Sequence, residues 1–180
     1  GAGAASSGAI GLFHIAGVTP EAPTLEAVCD TDSVETVPLT PEAVRQTRDH
    51  LSTVSGEQIN AVAVGSPHFS RAEFATLAAL ARGRTFDIPF FACTGRDVLD
   101  LLSGTEDRAI LDAAGLTFVA DTCVVVAPIL PEAGGVLMTN SAKFAHYGPA
   151  NTGFDVVYGS LSDCVESAMT GRVVRDETLW

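Results

Sequence analysis

Short, mostly apolar runs recur in this chain at a fixed interval, and that beat restricts its fold more than any other feature. Each run is closed by a polar turn and followed by a stretch with helical periodicity. Residues 59–64 (INAVAV) end at Gly65-Ser66-Pro67, residues 88–92 (IPFFA) at Cys93-Thr94-Gly95, and residues 116–120 (LTFVA) at Asp121-Thr122. The run centres lie near 62, 90 and 118, 28 residues apart, which is the length of a strand–helix–strand unit. Between the first two runs, Ser70-Arg71-Ala72-Glu73 predicts a capping box, in which Ser70 caps N–H groups while Glu73 reaches back. Phe74, Leu77, Ala78 and Ala81 then follow at helical spacing, and Gly83 supplies a left-handed stop. Thr105-Glu106-Asp107 opens the next helix, which carries Ile110, Leu111 and Ala114 and closes at Gly115. Upstream, Thr40 caps a helix with Pro41 at its first position. Downstream, residues 136–138 and 156–158 read as two more strands, leading into helices over 141–147 and 161–169, the latter stopped by Gly171. Continuously apolar strands alternating with amphipathic helices predict an α/β fold: a mostly parallel sheet flanked by helices on both faces. No low-complexity linker or repeat interrupts it, so residues 1–180 read as a single domain.

Of the 180 residues, 47% are hydrophobic and 18% charged, which suffices for a compact core and excludes an intrinsically disordered chain. Ten basic residues against 22 acidic ones leave a net charge of −12. A surface that acidic repels phosphate backbones and anionic headgroups, so neither nucleic acid nor membrane is an expected partner. No apolar run approaches the ~18 residues that span a bilayer. The Gly/Ala/Ser-rich start has no basic residue ahead of it and does not read as a signal peptide. It reads instead as the beginning of a segment cut from a longer chain, in the cytoplasm. The cysteines, Cys29, Cys93, Cys123 and Cys164, are too sparse for a disulfide scaffold, and no C-x-x-C suggests a zinc ribbon.

Open parallel sheets carry their functional groups at the carboxyl ends of their strands, so the turns are where chemistry is expected. His68, in the turn after the first strand, is either a site residue or a histidine bonded to nearby backbone. Lys143 stands near a helix N-terminus, against the preference of the helix dipole. It either snorkels or binds an anion together with Ser141. Arg96 reads better as a solvent-facing residue or a carboxylate partner than as a substrate clamp. Cys123 follows a strand end, and Cys164 falls in the first turn of a helix capped near Ser160, where unpaired N–H groups favour thiolate. Two thiolates brought to one sheet edge could hold iron and sulfide, although a full set needs more ligands. Buried, reduced thiols are the plainer alternative.

At these same turns the chain resembles a known family. Residues 6–22 (SSGAIGLFHIAGVTPEA), Gly65-Ser66-Pro67-His68-Phe69-Ser70, Asp121-Thr122-Cys123, residues 139–147 (TNSAKFAHY) and Asp163-Cys164-Val165 with Gly171 are similar to segments of the aconitase X catalytic region, in the family's order. The resemblance implies an aconitase-like three-layer domain and a hydro-lyase in which an iron–sulfur cluster acts as Lewis acid on a substrate hydroxyl. It implies dehydration of a small hydroxy acid: cis-3-hydroxy-L-proline, or alternatively mevalonate 5-phosphate as part of a large subunit. Carried over to this chain, it makes Cys123 and Cys164 the metal ligands and His68, Ser141 and Lys143 the substrate-binding residues. Ser66 departs from a cysteine found in some members, notably archaeal ones, which favours the bacterial hydroxyproline branch. The resemblance covers only the later part of the catalytic region. The partners it implies are therefore a missing N-terminal catalytic part, which holds the base, and a small swivelling domain or subunit. A fragment of this kind is expected to be inactive alone and to self-associate. The reading from another class is a non-catalytic α/β module that binds an anion at its strand ends.

Overall fold

The structure, a computed structural model, describes residues 1–130 and 134–180. Among them, five strands form one wholly parallel sheet: β1 (Ala61–Val64), β2 (Phe90–Thr94), β3 (Leu116–Ala120), β4 (Val136–Thr139) and β5 (Asp155–Tyr158). The helices are α1 (Ala2–Gly8), α2 (Pro41–His50), α3 (Arg71–Ala81), α4 (Arg96–Leu102), α5 (Glu106–Ala114), α6 (Ala142–Thr152) and α7 (Leu161–Ala168). A 3-10 turn, Glu177–Leu179, lies near the end.

Alternation along the strands splits the core into two layers. Val62, Val64, Phe90, Ala92, Met138 and Val157 face one side, where α3, α4, α5 and α7 pack with Phe74, Leu77, Leu102, Leu111, Cys164 and Val165. Ala61, Ala63, Phe91, Cys93, Leu137 and Val156 face the other, against Phe144 and Ala145 of α6 and against Val124 and Val125. Because both faces are covered, the central strands are apolar up to the terminal Thr94 of β2 and Thr139 of β4, as the sequence runs suggest; β1 is buried throughout. The three-layer α/β expectation holds.

The start signals also act as read. Ser70 caps α3 in a full capping box with Glu73, and Ser160 does the same for α7 with Asp163. Thr40 and Thr105 accept from the third backbone N–H of α2 and α5. Among the helices after α1, two differ from expectation. α4 follows β2 directly and has no side-chain cap. α6 continues through Gly148 and Pro149 to Thr152, beyond the predicted end at 147, because Gly148 lets the helix lie close on the sheet. A Cβ there would come within 3.0 Å of the Phe144 ring and 3.2 Å of Val156.

Candidate functional site

Strand order β3-β2-β1-β4-β5 makes the boundary between β1 and β4 the point where the connections turn in opposite directions. At such a point the loops leaving the two carboxyl ends diverge and leave a crevice. Here those loops begin Gly65-Ser66-Pro67 and Asn140-Ser141-Ala142-Lys143. Gly65 has φ +84°, and a Cβ on it would fall 2.1 Å from the Cys93 carbonyl oxygen, so only glycine lets β1 turn so close to β2. The loop is tied down by Phe69 N–H donating to Cys93 O at 2.9 Å and by Thr94 Oγ1 donating to Phe69 O at 2.6 Å. On the other side, Ser141 Oγ donates to Ser66 O and accepts from Phe144 N–H at 3.0 Å, joining the two turns. The first residues of α1 roof the crevice, where a Cβ on Gly3 would touch Ala142 Cβ at 3.3 Å. The result is a cleft of about 330 Å³ lined by Gly65, Ser66, Asn140, Ser141, Ala142, Lys143 and Tyr158, with Glu73 at its margin.

Lys143 is the only lysine in a chain of net charge −12. It is half-buried, and among the described residues it makes neither an ion pair nor a hydrogen bond to the chain. Most of the arginines, in contrast, sit on carboxylates, including Arg82 on Glu106 and Arg108 on Asp112. The carboxylate at the cleft, Glu73, is occupied by the Ser70 N–H and hydroxyl, both at 2.8 Å. An unneutralised ammonium therefore lies beside the first N–H groups of α6, which also favour negative charge. This arrangement can hold a carboxylate or a phosphate. Ser141, expected to bind substrate through its hydroxyl, has that hydroxyl committed to the turn and contributes the shape of the cleft instead.

The remaining expected residues lie elsewhere. His68 is not at the cleft: it is exposed, and its charge is felt by Asp121 across the ends of β2 and β3. Asp121 has φ 57° and accepts Arg96 N–H at 2.9 Å as well as the Arg96 side chain. These bonds, the backbone one foremost, hold its carboxyl below the usual carboxylate range. Arg96 is thus the carboxylate partner anticipated. The two sulfurs expected to converge do not. Cys164 is 0% exposed in the layer beneath α3 and α7, while Cys123 packs half-buried on the opposite face of the sheet. Burial, with the negative Asp163 adding to it, pushes the Cys164 thiol far up, so desolvation overrides the N-terminal position in α7. Cys93 lies in the same layer as Cys123, and burial pushes its thiol up to about 11, Cys123 adding to the rise. Among the described residues no three His, Cys, Asp or Glu side chains come together to hold a metal ion. The described residues of this chain do not by themselves bring together the ligands of an iron–sulfur site.

Comparison with known proteins decides the family. A model of the aconitase X third domain matches residues 59–170, and one of the aconitase X second domain matches residues 1–49. The chain belongs to the aconitase X family. Within that family it is 37% identical over 177 residues to a cis-3-hydroxy-L-proline dehydratase of Pseudomonas aeruginosa, covering 96% of the chain and 30% of that protein. The same named activity in Hypocrea jecorina is carried by a relative 35% identical, with 95% of the chain and 30% of that protein covered. A phosphomevalonate dehydratase large subunit of Methanothermobacter thermautotrophicus is 34% identical over 158 residues, covering 88% of the chain and 39% of that protein. The crystal structure of Thermococcus kodakaraensis aconitase X in its holo-form superposes with a TM-score of 0.78 at 29% identity, over 93% of this chain and 42% of that one. The chain thus spans well under half the length of each of these relatives. In this aconitase X chain, two contributors to the cleft carry no sequence signal of their role: Tyr158 and the α1 roof. Tyr158 ends an apolar strand and reads as core. The α1 sequence, Ala2–Gly8, is too small-residued to show amphipathic periodicity. No helix among the described residues is long and apolar enough to cross a membrane.

Proposed function

We propose that this chain forms one wall of the substrate site of a hydro-lyase that removes water from a small hydroxy acid, most favourably cis-3-hydroxy-L-proline. The observation that carries the reading is Lys143, the one lysine of an acidic chain, without a counter-ion among the described residues, in a cleft at the switch point of a parallel sheet. The proline substrate is favoured over mevalonate 5-phosphate by the two relatives of that name at 37% and 35% identity, and by Ser66 at the cleft. Dehydration takes a proton from one carbon and hydroxide from its neighbour: the C–H electron pair becomes the new double bond as the C–O bond breaks, and the proton and hydroxide leave as water. In this reading Lys143 and the α6 N–H groups fix the carboxylate, the Ser141–Ser66 link holds both turns in register, and α1 excludes solvent from one side. The base that takes the proton lies outside the chain, in the missing N-terminal catalytic part, with a small swivelling domain or subunit closing the site. Cys123, the half-buried sulfur at the carboxyl edge, would be one donor to a metal centre whose other donors also come from outside. Four free cysteines suit the reducing cytoplasm.

The test uses the full-length protein that contains this chain, prepared without oxygen. Lys143→Ala should raise KM for cis-3-hydroxy-L-proline by about tenfold or more, the loss of one charge-assisted contact. Iron content should fall in Cys123→Ala and stay unchanged in Cys164→Ala. An iron-free parent that dehydrates neither substrate yet binds the anion would show a non-catalytic module instead.

A further inference from the structure

Resting on the reading of the cleft as an anion site, we propose that Tyr158 is a second ligand-contacting group, its hydroxyl donating to the anion held by Lys143, and that Trp180 positions it. Tyr158 is the last residue of β5 and pairs in register with Thr139, the residue from which the turn to Lys143 departs. It lines the cleft, and it also lines an adjoining apolar hollow of about 260 Å³ bounded by Leu39, Val44, Leu51 and Trp180. Tyr158 and Ala142 are common to both, so the tyrosine stands at the partition.

Its surroundings hold it still. The Tyr158 N–H donates to Ser52 Oγ at 3.0 Å, and its carbonyl accepts from Arg175 Nη2 at 2.7 Å. Its ring meets the Trp180 indole edge-on, with centroids 5.9 Å apart and planes at 64°. The indole is itself gripped twice: Nε1 donates to Asp163 Oδ2 at 3.4 Å, and the Arg48 guanidinium lies 5.4 Å above the ring. Asp163 is 2% exposed and Arg48 is 6% exposed, so these are interior braces and not surface contacts. With the backbone bonded at both ends and the ring braced, only the hydroxyl is uncommitted: among the described residues it makes no hydrogen bond. A partly buried tyrosine ordinarily finds a partner for that group. Burial, with Cys164 adding to it, raises the phenol above its ordinary range, which keeps it protonated and therefore a donor. A donor is what an anion facing Lys143 still needs.

The test uses the full-length protein that contains this chain, because the cleft is one wall of the site. Inorganic phosphate and cis-3-hydroxy-L-proline would be titrated separately, followed by calorimetry. Wild type should bind at least one, and Lys143→Ala should lose that binding. Tyr158→Phe, with an unchanged circular dichroism spectrum, should bind about tenfold more weakly, the effect of one hydrogen bond to a charged group. Trp180→Ala should weaken binding by calorimetry, and Trp180→Phe should restore it, which a merely structural loss would not show. If Tyr158→Phe binds as tightly as wild type while Lys143→Ala does not, the tyrosine proposal is overturned and the anion site stands. If wild type binds neither probe, or if Lys143→Ala binds as wild type does, the anion site itself is wrong and the tyrosine falls with it.

Discussion

Cysteine shows how surroundings decide chemistry at the scale of one residue. Cys93 and Cys164 are 1% and 0% exposed, and burial raises both thiols. A thiol that ionises later in the folded state than in the unfolded one stabilises the fold below its unfolded value and loses that contribution as pH rises. For Cys93 the window runs from the ordinary 9.0 to about 11. The gap corresponds to roughly 2–3 kcal/mol, by linkage at about 1.4 kcal/mol per pH unit. Urea unfolding should therefore show stability falling between those limits, and Cys93→Ala should flatten part of the fall; an identical pH profile in the variant would refute the assignment. The same contrast explains what was legible of the site. Lys143 stands out in sequence because charge and turn position are local properties. That Cys164 is sealed in one layer and Cys123 lies on the other depends on which way α7 is rolled against β1 and β4, and no motif around Cys164 encodes that. His68 is a similar case: the turn is identifiable, but the imidazole is exposed and lies outside the cleft lining.

Elements announced by caps were legible, and those without caps were not. Ser70, Thr105 and Ser160 each place a side-chain oxygen on the third N–H of a helix, a signal carried within four residues. α4 begins at Gly95 with no such oxygen, so it exists because Val98, Leu99 and Leu102 pack on the core. At this scale the β1 turn is the sharpest prediction. Gly65→Ala sets a Cβ 2.1 Å from the Cys93 carbonyl oxygen, which cannot move without breaking its bond from Phe69 N–H and disturbing the β2–β3 pairing of Cys93 with Val119. Overpacking and the left-handed φ together should cost about 3 kcal/mol or more. Gly153, with φ +72° and nothing within 4 Å of the place a Cβ would take, is the control, where alanine should cost only about 1–2 kcal/mol for the backbone conformation. Equal urea midpoints for the two variants would mean that the β1 turn is looser than it looks. Because the same turn shapes the cleft, Gly65→Ala should also weaken anion binding, whereas Gly153→Ala should not.

Over the whole molecule, apolar exposure is unevenly distributed. Within residues 59–170, the segment matched to the aconitase X third domain, the exposed large apolar side chains are Leu101, Val126 and Tyr147. Residues 10–44 expose Ile10, Leu12, Phe13, Ile15, Val18, Leu25, Val34, Val37, Leu39 and Val44, with Leu12, Val18, Val37 and Leu39 at 72% or more. Helix α1 precedes that stretch and α2 closes it, but between them it forms no helix or strand that could bury its own side chains. A run of this kind exceeds the scattered apolar residues ordinary on a monomer's surface and drives association. Net charge −12 opposes it through self-repulsion, which salt screens. Light scattering on the 180-residue chain should therefore show a mass that grows with protein concentration and grows further as salt is added, the reverse of an ionic contact. Leu12→Asp combined with Val18→Asp should return the chain to a monomer without altering its circular dichroism, since both side chains are exposed. A wild-type chain that stays monomeric across that range would mean the apolar stretch folds back on the α/β body in solution.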